Sequence, residues 1–531
     1  MHELLGKHWD VVVVGAGMGG AVVGYELAKS GKSVLFLEKG MPATKGANTD
    51  QTSNLLEDPV QRMKSGYWPD KITLSNGNCE DGEFFIPLGC GPGGSTRLYA
   101  SQLERFLPID FDPPIGGVEI KNANFINDGW PIKYNEFLEY YRNAEKLFKV
   151  SGTQDELNLD PQLHLGVPQR LGGLDEKIFC SLAKAGLHPF RAHIACSFVE
   201  GCNGCGGRVC KQSCKNDAEK IALTPALKLH GSAILYECGV DKLNFEDGVI
   251  KSLDFSNENK SYKVNGKIFI LAAGALNSPL ILFRSGQDLF CDGLANSSGM
   301  VGRNLMWHAS DFFAVKSRKK VSYLLGALKA ISINDFYLHK NQKLGTIQSV
   351  GVPVDYGYVE SYLVNRVEKL PKKYGRLIPK TLIKISAHLG ATYFGNSSVF
   401  ATIVEDFPYY ENRVIFNKES PYKIIFNYNN SKELNIRSHE LYKNIKKVLE
   451  GDYQVIKLSR GMNINYGHAC GTLRFGHDPK TSVLNQFNRA HDVSNLYVVD
   501  ASFFPTSGGT NPSLTIAANA LRVADYINST H

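Results

Sequence analysis

The chain opens with a run in which every position from Val11 to Val14 is apolar, and Gly15 closes it. An unbroken apolar run bounded by glycine predicts a parallel strand covered on both faces, because a half-exposed strand would alternate. The next stretch, from about Gly17 to Ser30, predicts a helix, and Ser33 to Leu37 predicts a second strand that ends in Glu38. Strand, helix and strand in this order form a βαβ unit, so the fold is expected to be a doubly wound α/β sheet. Two more apolar strands, Lys267 to Ala272 and Leu496 to Val499, lie far along the chain, which predicts a sheet assembled from separated pieces. Between Phe312 and about Gly451 the texture changes to alternation, as in VFATIVEDF and RVIFNKESPYKIIFNY, the pattern of strands with one covered face.

Gly15, Gly17 and Gly20 form G-x-G-x-x-G between the first strand and its helix, with Glu38 about 20 residues further on. Each position has a physical task. Gly15 permits the tight turn, Gly17 lets backbone approach a diphosphate, Gly20 allows close packing, and the helix N-terminus stabilises negative charge. Glu38 is placed to accept hydrogen bonds from an adenosine ribose. The expected architecture is therefore a Rossmann-like nucleotide domain built from residues 8–311 and 452–531, with a Cys-rich insertion at 196–214. A β-rich α+β substrate domain spans 312–451.

Composition narrows the classes. The chain has 531 residues, 43% hydrophobic and 21% charged, which suits a globular protein with a large core. A net charge of +7 is modest for this length, and no basic run is interleaved with stacking aromatics, so nucleic acid is not expected as a partner. Membrane association is not expected either, because the most apolar stretch is broken by Gly15, Gly17, Gly19 and Gly20. The N-terminal residues run directly into a strand without a signal pattern, which reads as cytoplasmic. Within Arg366–Lys384, Lys369, Lys372, Lys373, Arg376 and Lys380 face a single acid, Glu368. This reads as a solvated basic face, with docking on an anionic membrane or acidic redox partner as the sharper alternative.

Further motifs are GPGGST (Gly91–Thr96), AAGALNSPLILFRSG (Ala272–Gly286), SSGMVGRNLMWH (Ser297–His308), HACGTLRFG (His468–Gly476) and DASFFPTSGGTNPSLTIAANAL (Asp500–Leu521). Thr510 or Asn511 can cap the last helix, and Pro512 suits its first turn. Together with VVVVGAGMGG, these segments resemble the glucose-methanol-choline (GMC) oxidoreductase family, over both ends of the chain. GWPIKYNEFLEYYRNAEKLF and GGSTRLYA resemble its branch of bacterial sugar and polyol dehydrogenase catalytic subunits and pyranose oxidases. The resemblance implies FAD and extends the expected cofactor set to Gly93, Gly94, Ser95, Thr96, Val240, Ala273, Asp500, Ala501, Asn511 and Thr515. Two departures, Tyr99 for a common asparagine and Phe475 for a methionine, speak against a choline or methanol oxidase. The stretch Ser95-Thr96-Arg97-Leu98 lacks the histidine that tethers FAD in some relatives, so non-covalent FAD is expected.

The resemblance also implies oxidation of an alcohol group of a sugar, polyol or sugar-containing natural product. A neutral imidazole suits removal of the hydroxyl proton as hydride leaves carbon. The family's catalytic histidine maps onto His468, and its second position, just before a proline, maps onto Asn511, which would orient the substrate oxygen. His308, His477 and His491 read as structural. Arg303 reads as structural or near the cofactor, and Cys470 as a site wall or a packing thiol. The alternatives are a non-redox flavoprotein of hydroxynitrile-lyase type and a non-catalytic redox subunit.

Five of the 11 cysteines, Cys196, Cys202, Cys205, Cys210 and Cys214, crowd into CSFVEGCNGCGGRVCKQSC. Metal binding by Cys202, Cys205, Cys210 and Cys214, with Cys196 as alternate ligand, is the leading reading. The metal centre is an iron-sulfur cluster or a tetrahedral zinc, and unmetallated thiols or a disulfide stay open. The step Cys205, Cys210, Cys214 resembles a cluster-binding segment of bacterial glucose dehydrogenases, which implies electron transfer to a protein acceptor.

Overall fold

The computed structural model describes residues 2–43, 57–75, 82–115, 126, 128–158, 160–161, 164–200, 202, 206, 208–286, 290–319, 326, 329–350, 363, 367, 378–395, 397–429, 432–458 and 463–531. The basic positions Lys369, Lys372, Lys373 and Arg376, and Cys205, lie outside the described residues.

The opening strand, His8–Val14, is central in a seven-stranded sheet. Val34–Leu37 and then Ala233–Leu235 pair parallel on one side, and Lys260–Leu271 pairs parallel on the other. All four residues of Val11–Val14 are buried, as their continuous apolarity requires. Lys260–Leu271 changes partner along its length. Its first half pairs antiparallel with Val249–Asn257, which pairs with Gly239–Glu246, whereas Phe269–Leu271 pair parallel with Leu496–Val498. The doubly wound α/β core is thus completed by a strand from the far end of the chain, and the expected strand at Lys267 starts earlier, at Lys260.

The helix Met18–Lys29 crosses this sheet so closely that only glycine fits its near face. A Cβ on Gly20 would lie 2.0 Å from the Gly15 carbonyl oxygen, and one on Gly19 would lie 2.1 Å from that of Val499. Gly15 itself turns with φ +94°, a left-handed value that favours glycine. The C-terminal helix Ser513–Thr530 packs against Met18–Lys29 and Tyr134–Phe148.

A second, six-stranded antiparallel sheet runs in the order Tyr453–Lys457, Phe312–Ser317, Ser397–Ile403, Thr346–Ser349, Ile331–Ile333 and Phe190–Arg191. It draws its two edge strands from outside 312–451. Lys432–Leu449, an amphipathic helix, covers it through Leu434, Leu441, Ile445 and Leu449. A ribbon of Met306–Ser310 and Asn463–Cys470 connects the two sheets. Among the described residues no helix is long and apolar enough to cross a membrane.

The Gly20 contact yields a direct expectation. Gly20→Ala forces the helix away from the Gly15 turn, at a cost of about 1–3 kcal/mol for overpacking. Chemical denaturation should show that loss, together with a fall in bound flavin per chain.

Candidate active site

A cleft of about 510 Å³ opens at the C-terminal ends of the parallel strands, where doubly wound sheets bind nucleotides. Gly15, Gly17, Glu38, Gly94, Ser95, Thr96, Val240, Ala273, Asp500 and Ala501 all line it, as do His468, Pro512 and Ser513. The glycine turn near the N-terminus, the Gly91–Thr96 loop and the start of the last helix therefore meet in one cavity. A Cβ on Gly17 would meet nothing nearer than Gly94 Cα at 3.9 Å, so it would project into the space of a ligand. Neither Met18–Lys29 nor Ser513–Thr530 has an acid in its first turn or a side-chain cap, which leaves first-turn N–H groups available to an anion. A long nucleotide with a diphosphate fits this donor set.

Four expected cofactor residues do not line the cleft, and one of them, Asn511, lines the neighbouring cavity instead. Gly20 packs helix on strand, Gly93 donates its N–H to Ala16 O at φ +84°, and the Thr515 hydroxyl is buried against Tyr141 Oη at 2.8 Å. Glu38 faces the cleft, but its carboxylate already accepts N–H bonds from Ala16, Gly40 and Gly91, at 2.8 to 3.0 Å. Those bonds join the two glycine loops to one acid. Burial nonetheless pushes its pKa up from the ordinary carboxylate value. The Asp500 carboxylate likewise serves the frame, accepting from Gly274 N, Ser278 Oγ and Ser502 N.

A second cavity of about 310 Å³ adjoins the first and shares Ser95, Gly467, His468 and Ser513 with it. Asn511 lines this second cavity, together with Tyr99, Gln102, Lys329, Gln348 and Asn465. His468 stands at the junction. Its Nδ1 lies 3.1 Å from Nδ1 of His308, with the rings edge to face. The protonation state follows from the surroundings. His308 Nε2 lies 2.9 Å from Gly508 O and 3.1 Å from Ser507 O, and carbonyls only accept, so this nitrogen carries a hydrogen. Burial draws the His308 pKa down to about 4, so the ring is neutral and its Nδ1 is a lone pair. The hydrogen between the two rings therefore sits on His468 Nδ1. Burial, then the neighbouring His308 and Lys329, hold the His468 pKa well below the ordinary imidazole value. His468 Nε2 is left as an unprotonated base nitrogen. The Asn465 amide nitrogen is 3.3 Å from both ring nitrogens, and with the hydrogen on Nδ1 only Nε2 can accept from it.

From sequence His308 reads as structural, and the structure places it both on the Ser507 and Gly508 carbonyls and against His468. Its signal was its place at the end of SSGMVGRNLMWH, in a strand that the spacing could not pair with HACGT. The expected cap on the last helix is also absent. Pro512 is the N-cap, and Thr510 Oγ1 and Asn511 Oδ1 are buried with no partner among the described residues. Arg303 is structural, bonded to Gly299 O and Tyr410 O, and Cys470 packs in the core. His491 bonds Ser482 Oγ.

The Cys-rich segment packs behind the loop that carries Ser95 and Thr96. Val209 clusters with Leu98 and Tyr67, and a Cβ on Gly206 would lie 3.4 Å from that of Ala100. Sγ of Cys196, Cys202 and Cys214 lie within 4.8 Å of one another. Cys214 Sγ is 3.4 Å from Cys202 Sγ and 3.3 Å from Cys210 Sγ, too long for a disulfide.

A nucleotide cleft at the ends of a doubly wound sheet, joined through a neutral histidine to a polar cavity under a second sheet, defines a nucleotide-dependent oxidoreductase. Two GMC oxidoreductase models, N-terminal and C-terminal, match residues 127–310 and 411–520, more than half of the chain between them. An FAD dependent oxidoreductase model matches residues 10–76. The chain belongs to the GMC oxidoreductase family, and it is an FAD-dependent enzyme acting on alcohol groups. It is similar to 6'''-hydroxyparomomycin C oxidase of Streptomyces lividus, at 26% identity over 98% of this chain and 91% of that protein. The 2-methyl-1,2-propanediol dehydrogenase of Mycolicibacterium austroafricanum is also 26% identical, over 98% and 95%. Pyridoxine 4-oxidase from Mesorbium loti shares the fold with a TM-score of 0.67 and 18% identity, covering 99% of this chain and 100% of that one.

The tautomer has a spectroscopic consequence. In protein labelled with 15N-histidine, His468 should show a proton on Nδ1 alone. His308→Asn, whose side-chain oxygen can stand where Nδ1 stood, should keep that single form, and His308→Leu should give a mixture.

Proposed function

We propose that the protein oxidises a primary or secondary alcohol of a hydroxylated small molecule, with His468 as the base and FAD held non-covalently in the larger cleft. The observation that carries this reading is the position of His468, neutral and on the wall shared by both cavities. Gly15, Gly17, Gly94, Ser95 and Thr96 would hold the diphosphate and flavin side, Glu38 would face the ribose, and Val240, Ala273, Asp500 and Ala501 would form the walls. Bound there, FAD supplies the acceptor for a hydride. His468 Nε2 takes the hydroxyl proton, and Asn511 Oδ1, unpartnered and buried, accepts from a second hydroxyl of the substrate and so holds the reacting carbon in place. The N-terminus of Ser513–Thr530 presents positive charge where negative charge gathers on reduction. The two relatives, named for oxidising a hydroxyparomomycin and a diol, support a polyol or sugar-containing substrate.

The Cys-rich segment would supply an exit for electrons. We assign Cys202, Cys210 and Cys214, with Cys196 and Cys205 as further candidates, to an iron-sulfur cluster beside the Ser95–Tyr99 loop, with a protein acceptor outside. The sulfur spacing favours a second reading. A tetrahedral zinc with Zn–S of about 2.3 Å separates its thiolates by roughly 3.8 Å, close to the 3.3 and 3.4 Å found here. Metal analysis with electron paramagnetic resonance on anaerobic protein decides between them: a paramagnetic iron signal supports the exit, and stoichiometric zinc without iron removes it.

Purified protein should be yellow, and an alcohol or polyol substrate should bleach it without oxygen. His468→Ala should slow bleaching by about 10²–10⁴-fold while FAD stays bound. Because the His468 pKa is depressed, its base form persists below the ordinary imidazole value of 6.5. The bleaching rate should therefore stay level as pH falls from about 8 to about 6. Turnover without flavin bleaching would indicate lyase-type chemistry instead.

A further inference from the structure

The substrate cavity has an unusual charge balance. Among the described residues, its lining includes ten polar or titratable side chains besides Tyr67, yet no aspartate or glutamate.

 The charged side chain on the wall is Lys329, which has no carboxylate within ion-pair distance among the described residues. The nearest acid, Glu104, is already committed: it pairs with His193 at 2.5 Å and accepts from Gln102 Nε2, Ser332 Oγ and His193 N. Lys329 feels Glu104 only at longer range, and burial holds its pKa down to about 8, so the ammonium is present at neutral pH and poorly compensated.

The same cavity presents orphan acceptors. Oε1 of Gln102, Oε1 of Gln348 and Oδ1 of Asn511 are buried without a hydrogen-bond partner among the described residues, and all three side chains line the cavity. The orientation of Gln102 is fixed, because its Nε2 donates to the Glu104 carboxylate. Buried acceptors call for hydroxyl donors, and a half-buried, unpaired ammonium facing the same cavity calls for an anion.

We propose that this cavity takes a hydroxylated anion, with a carboxylate or phosphate group on Lys329 and hydroxyls on Gln102, Gln348 and Asn511. The inference rests on the second cavity being the substrate chamber, and it narrows the substrate class to hydroxy acids and phosphorylated polyols. A cationic group is disfavoured at the Lys329 end of the cavity, because it would place a second positive charge beside Lys329 with no acid among the described lining residues to offset it.

The test uses binding, which needs no turnover. Matched small probes are titrated into the oxidised holoprotein at pH 7, followed by the visible flavin spectrum and by calorimetry: glycolate against ethylene glycol and ethanolamine, and glycerol 3-phosphate against glycerol. The expected order is an anion at least about tenfold tighter than its neutral partner, with ethanolamine weakest. The two anions separate a carboxylate site from a phosphate site. Lys329→Met should abolish the anion preference and leave the flavin bound, whereas Lys329→Arg should retain it. Equal binding of glycolate and ethylene glycol, no detectable binding of either anion, or an unchanged preference in Lys329→Met would overturn the proposal. The two readings fail separately. Anion binding without alcohol-dependent bleaching would count against alcohol oxidation, and bleaching by neutral alcohols without anion preference would count against the role of Lys329.

Discussion

The buried loop from Thr506 to Asn511 holds the two chambers in register, and its hydrogen bonds reach every surrounding element. Thr506 Oγ1 donates to Asp110 O and accepts from Trp130 Nε1, and Ser507 Oγ exchanges bonds with Asp406. The carbonyls of Ser507 and Gly508 accept from His308 Nε2–H, and Gly509 N donates to Tyr337 Oη, which donates to Asp110. Lys343, fully buried between Asp110 and Glu405, neutralises the acids on which this web rests. A buried polar network of this kind is stable only when its members are satisfied together, so displacement of one member is felt by the rest. The loop that presents Asn511 is also the loop that sets the proton on His308, and through it the proton on His468. The placement of Asn511 on the cavity wall and the tautomer of His468 are therefore consequences of one arrangement.

Much of this frame was legible in the sequence because it depends on local rules. The buried strand at Val11–Val14 needs only an unbroken apolar run, and the turn after it needs glycine at Gly15 for its backbone angle. Glu38 was legible as the acid ending the second strand, although its role as an acceptor for three backbone N–H groups was not. The motifs at Gly91–Thr96, His468 and Asp500–Asn511 pointed to one site, and the cleft brings them together.

What escaped the sequence depends on contacts between distant segments. His308 and His468 are 160 residues apart, and nothing in either motif states that their Nδ1 atoms meet. The antiparallel continuation of Lys260–Leu271 and the recruitment of Phe190–Arg191 into the second sheet are likewise matters of pairing, which periodicity does not specify. The last helix shows the limit of local rules from the other side. Thr510 and Asn511 are good capping residues, yet Pro512 holds the cap and Asn511 is turned toward the cavity. A residue type favoured at a helix end was spent on the site instead.

The pairing of Leu496–Val498 beside Phe269–Leu271 bears on how the chain is made. Synthesis runs from the N-terminus, so the central sheet emerges from the ribosome with that edge uncovered until almost the whole polypeptide has been translated. Unpaired edges of apolar strands are templates for association with other chains. The nascent protein thus carries this open edge while residues 272–495 are being made, a stretch in which a chaperone that covers it would suppress association between chains.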